Sequence, residues 1–220
     1  MDRIRNIPAL SREECDLLRE KTVAVIGCGG LGGYLAEQLA RLGVGQIRFA
    51  DGDVFDETNG NRQLLCTDVT LGRNKAEAAA QRVREIDPQI QVRAFAVNMD
   101  ARNAKELIAG CDVVLDGLDN IPARKILAQA CREAKIPWVY GAVSGWVAQA
   151  AVCMPADRLV EKLYPTDAEP KDKSVLAFTP ALCAGMQMAL CVKLLTGRPV
   201  RSGVLHHWDV QEEMYTQLKV

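Results

Sequence analysis

A glycine-rich turn near the N-terminus is placed where a phosphate could bind. Residues 27–32 read Gly-Cys-Gly-Gly-Leu-Gly, which fits the pattern GxGxxG, and they lie between a predicted strand and a predicted helix. Glycines there let the backbone turn tightly and approach a phosphate, and the helix N-terminus adds free N–H groups with a partial positive charge. Asp51, 19 residues after Gly32, could accept hydrogen bonds from ribose hydroxyls. The sequence therefore predicts a nucleotide site.

Cations and amides follow this acid closely, in the stretch TNGNRQ at 58–63 and at Lys75. Hydride transfer creates no new phosphate charge to neutralise. Attack of a carboxylate on the α-phosphate of ATP does, because negative charge accumulates on the phosphoryl oxygens and on the departing pyrophosphate. Arg62 and Lys75 are the candidate stabilisers of that charge, although either one alone is equally compatible with a solvated surface position.

Two acids mark the end of a later strand. In DVVLDGLDN, residues 112–120, Asp116 and Asp119 lie at and just past the carboxyl end of a predicted strand, where open α/β sheets bind ligands. Mg²⁺ bridging phosphates needs only one or two protein oxygens. Asp119 is the preferred ligand because it lies in the loop, whereas Asp116 could instead cap the following helix.

The elements that must position these residues alternate along the chain. Apolar periodicity and glycine or capping signals predict helices at 11–20, 31–43, 73–86, 101–109, 121–134 and 180–196, and strands at 22–27, 46–50, 90–95, 112–116, 137–142, 146–154, 203–208 and 213–218. This alternation predicts an α/β fold with a doubly wound, Rossmann-like, mainly parallel sheet and antiparallel C-terminal strands. We expect one domain over 1–220, with an N-terminal arm and helix at 1–21 and a mobile crossing loop at 156–178.

Composition limits the function classes. Of 220 residues, 49% are hydrophobic, and 27 basic side chains nearly cancel 28 acidic ones, so no global charge indicates a nucleic acid or an anionic membrane. The uncharged runs at 137–156 and 174–192 contain prolines, glycines and glutamines, which favours core segments over membrane spans. The 8 cysteines form no CxxC pair, and the N-terminus has no apolar signal region, so we expect reduced thiols in the cytoplasm.

The combined motifs resemble one family. GCGGLG, DGDVFDETNGNRQ, GRNKAEAA, DGLDNIPAR and YGAVSG occur in the same order in the adenylation domain shared by ThiF, MoeB and HesA proteins and by ubiquitin-activating enzymes. The resemblance covers nearly the whole chain. It implies an enzyme that binds ATP and Mg²⁺, adenylates the C-terminal glycine carboxylate of a ubiquitin-fold protein with a Gly-Gly tail, often a sulfur carrier, and releases pyrophosphate.

The same resemblance implies roles for individual residues. Asp51 would take the ribose, Asn59 and Arg62 would contact phosphates, Lys75 would stabilise the charge of transfer, and Asp119 would hold the metal. Arg5 in the N-terminal arm would reach the phosphates of a neighbouring subunit, which implies a homodimer. The catalytic set is Arg5, Arg62, Lys75 and Asp119, and the nucleotide-binding set is Gly27, Gly29, Gly30, Leu31, Gly32, Asp51, Asp53, Asn59, Asn61, Arg62, Gln63, Lys75, Asp119 and Asn120.

Some residues depart from the family pattern. Many members carry two CxxC pairs that bind zinc, and this chain has none, so no structural zinc is predicted. Gly60 replaces a usual leucine, which could loosen the turn without removing a charged group. The predicted crossing loop contains no cysteine, and Cys183 and Cys191 fall at core spacing in a helix, so we predict no thioester or persulfide on the enzyme.

Two other readings stay open at this point. One is an NAD-dependent oxidoreductase, which uses the same glycine fingerprint but has no need of Arg62 and Lys75. The other is a non-catalytic nucleotide-binding partner in a larger assembly, which Gly60 and the missing zinc ligands would allow. The sequence also leaves open a substrate carboxylate carried by a small molecule or an RNA.

Overall fold

A single mixed sheet organises the chain in the computed structural model, which describes residues 2–168 and 174–220. Its strands are β1 (Thr22–Ile26), β2 (Gln46–Ala50), β3 (Gln91–Phe95), β4 (Val113–Asp116), β5 (Trp138–Ser144), β6 (Val147–Cys153), β7 (Val204–Asp209) and β8 (Met214–Lys219). They lie in the order β3-β2-β1-β4-β5-β6-β7-β8. Strands from β3 to β5 pair in parallel, and those from β5 to β8 pair antiparallel. The predicted fold class is confirmed.

Helices cover both faces of this sheet. They are α1 (Arg12–Glu20), α2 (Gly30–Leu42), α3 (Lys75–Ile86), α4 (Ala104–Ile108), α5 (Ile121–Ala134), α6 (Leu159–Leu163) and α7 (Phe178–Leu195), with 3-10 turns at Ile4–Asn6 and Glu57–Asn59. One buried cluster packs α2, α3 and α7 on the first face, and a second packs α4, α5 and α6 on the other. The sheet is therefore the middle layer of three, which leaves the carboxyl ends of its parallel strands as the place for a site.

Local signals fix several helix ends as the sequence predicts. Ser11 and Glu14 form a reciprocal capping box at the start of α1, with the Ser11 N–H donating to the Glu14 carboxylate at 2.8 Å. Gly43 ends α2 in the left-handed conformation at φ +87°. Helix α3 begins at Lys75, two residues later than expected, because the Asn74 side chain caps it by accepting from the Glu77 N–H.

The segment between β6 and α7 corrects one expectation. Residues 156–178, here called the crossing segment, do not form a continuous loop, because α6 lies within it and buries Leu159 and Val160 against α5. This helix has only five residues, which is too short to show a periodic signal in the sequence. Residues 169–173 of the predicted loop lie outside the described residues.

Helix α7 is the one helix in the described ranges whose length and apolar composition would let it cross a membrane. Half of it is buried within the fold, where it packs on α2, β5 and β6. Cys183 and Cys191 are fully buried on its inner face, as their spacing predicts. All 8 cysteines are free thiols.

Candidate active site

A cavity of about 730 Å³ opens at the carboxyl ends of β1, β2 and β4. Most of the predicted nucleotide-binding set lines it: Gly27, Gly29, Gly30, Leu31, Asp51, Asp53, Arg62, Gln63, Lys75, Asp119 and Asn120. Gly32, Asn59, Asn61 and Arg5 are not part of its lining. The volume lies in the range of ordinary small-molecule sites, and charged groups gather on its wall as a polyphosphate would require.

Two of the glycines serve close packing beneath the cavity. Gly27 has φ +90°, and a Cβ there would lie 2.5 Å from the Gly117 carbonyl oxygen. A Cβ on Gly32 would lie 2.2 Å from the Gly27 carbonyl oxygen. No side chain fits at either position, so the turn after β1 and the loop after β4 pack directly on each other. Gly29 then stands at the N-terminus of α2 and faces the cavity.

Asp51 is held at the end of β2 by backbone donors. Its Oδ2 accepts from the Cys28 N–H at 2.7 Å and its Oδ1 from the Asp53 N–H at 2.9 Å. Burial raises the pKa of Asp51, and these two N–H donors oppose that rise. Each carboxylate oxygen keeps a further acceptor site, so the side chain can still accept from a hydroxyl group in the cavity.

Lys75 lies at the first position of α3 with its ammonium group directed at the cavity. The side chain is 9% exposed, and its Nζ is 3.3 Å from Oδ2 of Asp53, a carboxylate that is itself 60% exposed. Asn74 fixes the backbone below this pair by donating to the carbonyl oxygens of Asp51 and Asp53. The sequence reasoning missed Asn74, because it placed this residue inside the helix predicted at 73–86 instead of at its N-cap.

Arg62 and Gln63 occupy the loop that follows the second 3-10 turn. Arg62 donates to the Thr58 carbonyl oxygen at 3.1 Å and to Asn61 Oδ1 at 2.8 Å. Gln63 is buried against Gly29, and its Oε1 has no hydrogen-bond partner within residues 2–168 and 174–220. A buried acceptor without a partner beside the glycine turn fits a site that is completed by a polar ligand.

Asn59 and Asn61 have structural partners instead of a place on the cavity wall. Asn59 is buried, accepts from the Asp56 N–H at 3.4 Å and so closes the capping box of its 3-10 turn. Asn61 donates to the Val175 carbonyl oxygen at 3.1 Å, which links this loop to the end of the crossing segment. Both amides therefore shape the loop from which Arg62 projects.

Asp119 and Asp116 have different surroundings. Asp119 is exposed on the cavity wall, and within the described residues its carboxylate has no cationic partner. Asp116 is fully buried and forms an ion pair with Arg124 at 2.7 Å. The cap of α5 is Asn120, whose Oδ1 accepts from the Ala123 N–H, so the expectation that Asp116 could cap this helix is wrong.

The chemistry of Asp119 fits a magnesium ion. A carboxylate that is open to the cavity and free of a basic neighbour is the donor that Mg²⁺ takes together with phosphate oxygens. The described ranges contain no cluster of three or more His, Cys, Asp or Glu side chains that could hold a metal by itself. The absence of structural zinc stays a prediction.

The sequence reasoning also missed Arg124 and Tyr164, which line the cavity beyond Asp119. Arg124 had a usable signal, since it falls on the otherwise apolar inner face of α5 with Ile121, Leu127 and Cys131. Tyr164 had none, because it follows a helix that was expected to be loop.

The N-terminal arm lies at the opposite end of the molecule. Arg3 donates to the carbonyl oxygens of Ala40 and Arg41 at the end of α2, and its guanidinium pairs with Asp87 at 2.7 Å. The glycine turn is at the other end of α2, about 15 Å away at 1.5 Å per residue. Arg5 is exposed on the first 3-10 turn, so the structure does not bring it to the cavity of its own chain.

The whole chain, residues 1–220, matches the ThiF family. The Haloferax volcanii SAMP-activating enzyme E1 is 35% identical over an alignment of 184 positions that covers 81% of this chain and 68% of that protein. The Thermus thermophilus sulfur carrier protein adenylyltransferase is 30% identical over an alignment of 228 positions, gaps included, that covers 97% of this chain and 84% of that protein. The chain spans only 58% and 47% of two further curated relatives.

Solved structures agree on the fold. E. coli MccB crystallised with ATP superposes with a TM-score of 0.80 at 20% identity, over 94% of this chain and 65% of that one. At this identity the likeness concerns the fold alone. The match along the full sequence, the curated relatives and the shared fold lead to one conclusion: this chain belongs to the ThiF family.

Proposed function

We propose that this chain is an ATP-dependent adenylyltransferase that activates the C-terminal glycine carboxylate of a ubiquitin-fold sulfur-carrier protein and releases pyrophosphate. The observation that carries the proposal is the gathering of the glycine turn, Asp51, Arg62, Lys75 and Asp119 around one cavity. The names of the curated relatives, a SAMP-activating enzyme and a sulfur carrier protein adenylyltransferase, support the same substrate class.

The chemistry requires little beyond alignment and charge neutralisation. The terminal carboxylate of the carrier is ionised at neutral pH, so no general base is needed. Its oxygen forms a bond to the α-phosphorus of ATP, and the bond from that phosphorus to the bridging oxygen of pyrophosphate breaks. The products are an acyl-adenylate and pyrophosphate, and the charge that develops lies on phosphate oxygens throughout.

Each lining residue has a place in this step. The N–H groups at the start of α2 bind phosphate, and Asp51 accepts from the ribose. Arg62 and Lys75 stabilise the charge that develops at the α-phosphate and on pyrophosphate. Asp119 would hold Mg²⁺, which when bound neutralises phosphate charge. Gln63, which lies against Gly29, completes the polar wall.

The proposal includes a homodimer in the cytoplasm. Arg5 lies far from its own cavity, so it can contribute to catalysis only in the cavity of a second copy. A partner Arg would add a third cation to the phosphate site. Free thiols at all cysteine positions suit a reducing compartment.

Pyrophosphate exchange tests the central claim. The purified chain, Mg²⁺ and ATP should incorporate labelled pyrophosphate into ATP only when a carrier with a Gly-Gly C-terminus is added. A carrier that lacks its last glycine is the matched control and should support no exchange. Absence of exchange with every Gly-Gly carrier tried, together with tight binding of NADH, would refute the proposal.

The crossing segment provides a second test. We propose that it passes over the carrier tail and that a bound tail protects it from proteolysis. Protease cleavage within residues 165–176 should therefore fall when carrier and Mg·ATP are both present. Cleavage that continues at the same rate would count against this role.

A further inference from the structure

Arg124 of α5 connects four parts of the structure from a nearly buried position. It is 5% exposed. Its Nε donates to the Asp116 carboxylate at 2.7 Å, and its Nη2 donates to the carbonyl oxygens of Leu118 at 2.6 Å and Gly141 at 3.1 Å. Its Nη1 donates to the Tyr164 hydroxyl at 3.3 Å. One guanidinium thus joins β4, the loop after β4, β5 and the crossing segment.

The loop after β4 needs such a contact because the sheet opens beside it. Strands β4 and β5 pair only up to Leu115 and Val139, and beyond that point they separate. The buried Gln187 of α7 donates to the carbonyl oxygens of Asp116 and Val139 on one side of the gap. Arg124 holds the other side, so the two strands diverge in a defined way.

The loop itself has few hydrogen bonds of its own. The Gly117 N–H donates to the Ile26 carbonyl oxygen at 2.8 Å, and the Leu118 N–H donates to Asp116 at 2.9 Å. The Leu118 carbonyl oxygen is bound by Arg124. The next residue is Asp119, whose carboxylate lies on the cavity wall. Whatever fixes the Leu118 peptide therefore fixes the backbone from which that carboxylate projects.

We infer that Arg124 is a positioning residue for adenylate formation: through Leu118 it holds the backbone that presents Asp119, and through Tyr164 it couples that backbone to the crossing segment. The inference rests on the proposed function for its catalytic consequence. The coupling means that a tail bound beneath the crossing segment and a metal bound at Asp119 act on the same guanidinium.

Arginine suits this position better than lysine. Burial alone would lower the pKa of Arg124, but Asp116 and the phenol groups of Tyr140 and Tyr164 raise it above its usual value, so the group stays charged. A lysine at 124 would keep a charge beside Asp116, which preserves the buried ion pair. Its single ammonium group could not reach the other three acceptors at once, because it lacks the planar fork of the guanidinium.

The test compares Arg124→Lys with Arg132→Lys. Arg132 lies on the same helix and also binds the crossing segment, through Glu161 and the Asp157 carbonyl oxygen, but it does not contact the loop at 117–119. Hydrogen–deuterium exchange of the Gly117 and Leu118 amides is measured in the ligand-free protein. We expect about tenfold faster exchange in Arg124→Lys, which corresponds to the loss of a charge-assisted hydrogen bond, and no change in Arg132→Lys.

A second readout follows the metal. In the pyrophosphate exchange assay, Arg124→Lys should need roughly tenfold more Mg²⁺ for half-maximal rate, whereas the Arg132→Lys value should equal that of the wild type. Unchanged amide exchange at 117–118 in Arg124→Lys, or the same acceleration in both variants, would overturn the inference. The amide measurement needs no carrier, so a failure of the proposed function leaves it decisive.

Tyr164→Phe provides a second test of the inference if Arg124→Lys does not fold. This variant removes one hydroxyl that contacts Arg124 and Tyr140 and leaves the ion pair with Asp116 intact. Amide exchange at Gly117 and Leu118 should rise about two- to threefold, less than for loss of the guanidinium. If exchange becomes faster within α6 but does not change at Gly117 and Leu118, the coupling is overturned.

Discussion

Arg62 and Lys75 differ in whether a carboxylate is already paired with them, and this decides how strongly each can attract a phosphate. Arg62 donates only to neutral oxygens, those of Thr58 and Asn61, and has no carboxylate partner within the described residues. Lys75 shares its charge with Asp53 at 3.3 Å. A phosphate therefore meets a full positive charge at Arg62, whereas at Lys75 it must compete with Asp53 or draw the ammonium group away from it.

Arg62→Ala should lower the rate of adenylate formation by about 10² to 10³, the usual effect of removing one donor that stabilises transition-state charge. The rate is measured by pyrophosphate exchange with the carrier at saturation. Arg73→Ala is the matched control, because Arg73 is an arginine bound on the surface to Gln81. A variant at position 62 with activity within about twofold of the wild type would remove Arg62 from the mechanism.

Gly60 and Gly32 illustrate two opposite demands on glycine. Gly60 has ordinary helical angles, φ −60° and ψ −22°, and a Cβ there meets only the Glu57 carbonyl oxygen at 3.4 Å. Gly60→Ala should therefore stabilise the fold by about 0.4 to 1 kcal/mol, because alanine restricts the unfolded chain. Gly32→Ala should destabilise it by about 1 to 3 kcal/mol, because its Cβ would overlap the Gly27 carbonyl oxygen.

Urea unfolding of both glycine variants checks this pair. Loss of stability in Gly60→Ala would mean that the turn needs a conformation closed to alanine. Pyrophosphate exchange by Gly60→Ala should equal that of the wild type, because no charged group moves. A large loss of exchange would show that the departure from the family's leucine matters for the site.

Individual residues were predictable where their chemistry has a local signature. The glycine turn, Asp51 and Asp119 follow from spacing and from the ends of predicted strands, whereas Lys75 was a candidate cation whose role came from the family resemblance. Most of the turn and all three of these side chains line the cavity. The direction of Asn59 was not predictable, because a short-range capping contact with Asp56 competes with the cavity for the same amide. The partners of Arg124 come from four separate segments, which no local pattern reveals.

Among the elements, the N-terminal arm is attached to the rest of the fold by side-chain contacts that its sequence does not predict. The guanidinium of Arg3 sits over the C-terminus of α2, and Arg198, just past α7, binds Glu14 and the Ala9 carbonyl oxygen. Cations at helix C-termini are favourable, and the 9% exposed Arg3 also pairs with the 3% exposed Asp87. The arm is thus part of the folded body.

The pair of Arg3 and Asp87 gives the arm a pH dependence. Burial raises the pKa of Asp87, but hydrogen bonds from Arg3 and from the Gln89 N–H outweigh this, so the pKa lies below its usual value. The carboxylate therefore stabilises the fold above its unfolded pKa, and this contribution is lost as the pH falls through the lowered folded pKa. Asp87→Asn should destabilise the protein by about 1 to 3 kcal/mol at pH 7.

The difference in the free energy of unfolding between Asp87→Asn and the wild type should become smaller as the pH falls from about 5 toward 2. Urea unfolding at each pH measures it. Asp16→Asn serves as the control, because Asp16 pairs with Arg19 at the surface with 69% of its side chain exposed. A difference that is equal at both ends of this range would mean that the charge of Asp87 has no part in holding the arm.

The crossing segment shows why elements are harder to predict than motifs. Its first half is attached to α5 by two ion pairs, Glu161 with Arg132 and Asp167 with Lys125. Each of these pairs joins residues far apart in the sequence, and α6 has only five residues, too few for a periodic signal. The long elements, with full periods and clear caps, were placed to within about two residues of their actual ends.

At the scale of the whole molecule, the sheet separates the cavity from the arm. The parallel strands carry their carboxyl ends, with Asp51, Asp116 and the glycine turn, to one edge. The N-terminus of α7 also lies there, since Gly30 contacts Pro180. The chain enters β1 from the other edge, so everything before Thr22 is remote from the cavity. A role of Arg5 at the phosphates would therefore require the cavity of a second copy.

Subunit mixing tests this arrangement. Arg5→Ala and Lys75→Ala should each be nearly inactive alone, the first because it lacks the donated arginine and the second because it lacks its own lysine. In a mixed dimer, the Arg5→Ala chain keeps Lys75 and receives Arg5 from its partner, so one of two cavities is complete. Random assortment makes half of the dimers mixed, and exchange activity should return to about a quarter of the wild-type value.

Arg12→Ala mixed with Lys75→Ala is the matched comparison. Arg12 is an exposed arginine close to the arm, so its variant should be fully active alone, and the mixture should show no gain over the sum of its parts. If Arg5→Ala is fully active alone, or if its mixture with Lys75→Ala stays inactive although the subunits have exchanged, Arg5 does not act across an interface. Recovery to about a quarter would mean that the phosphate site needs both copies, because no rearrangement within one chain brings the two ends of α2 together.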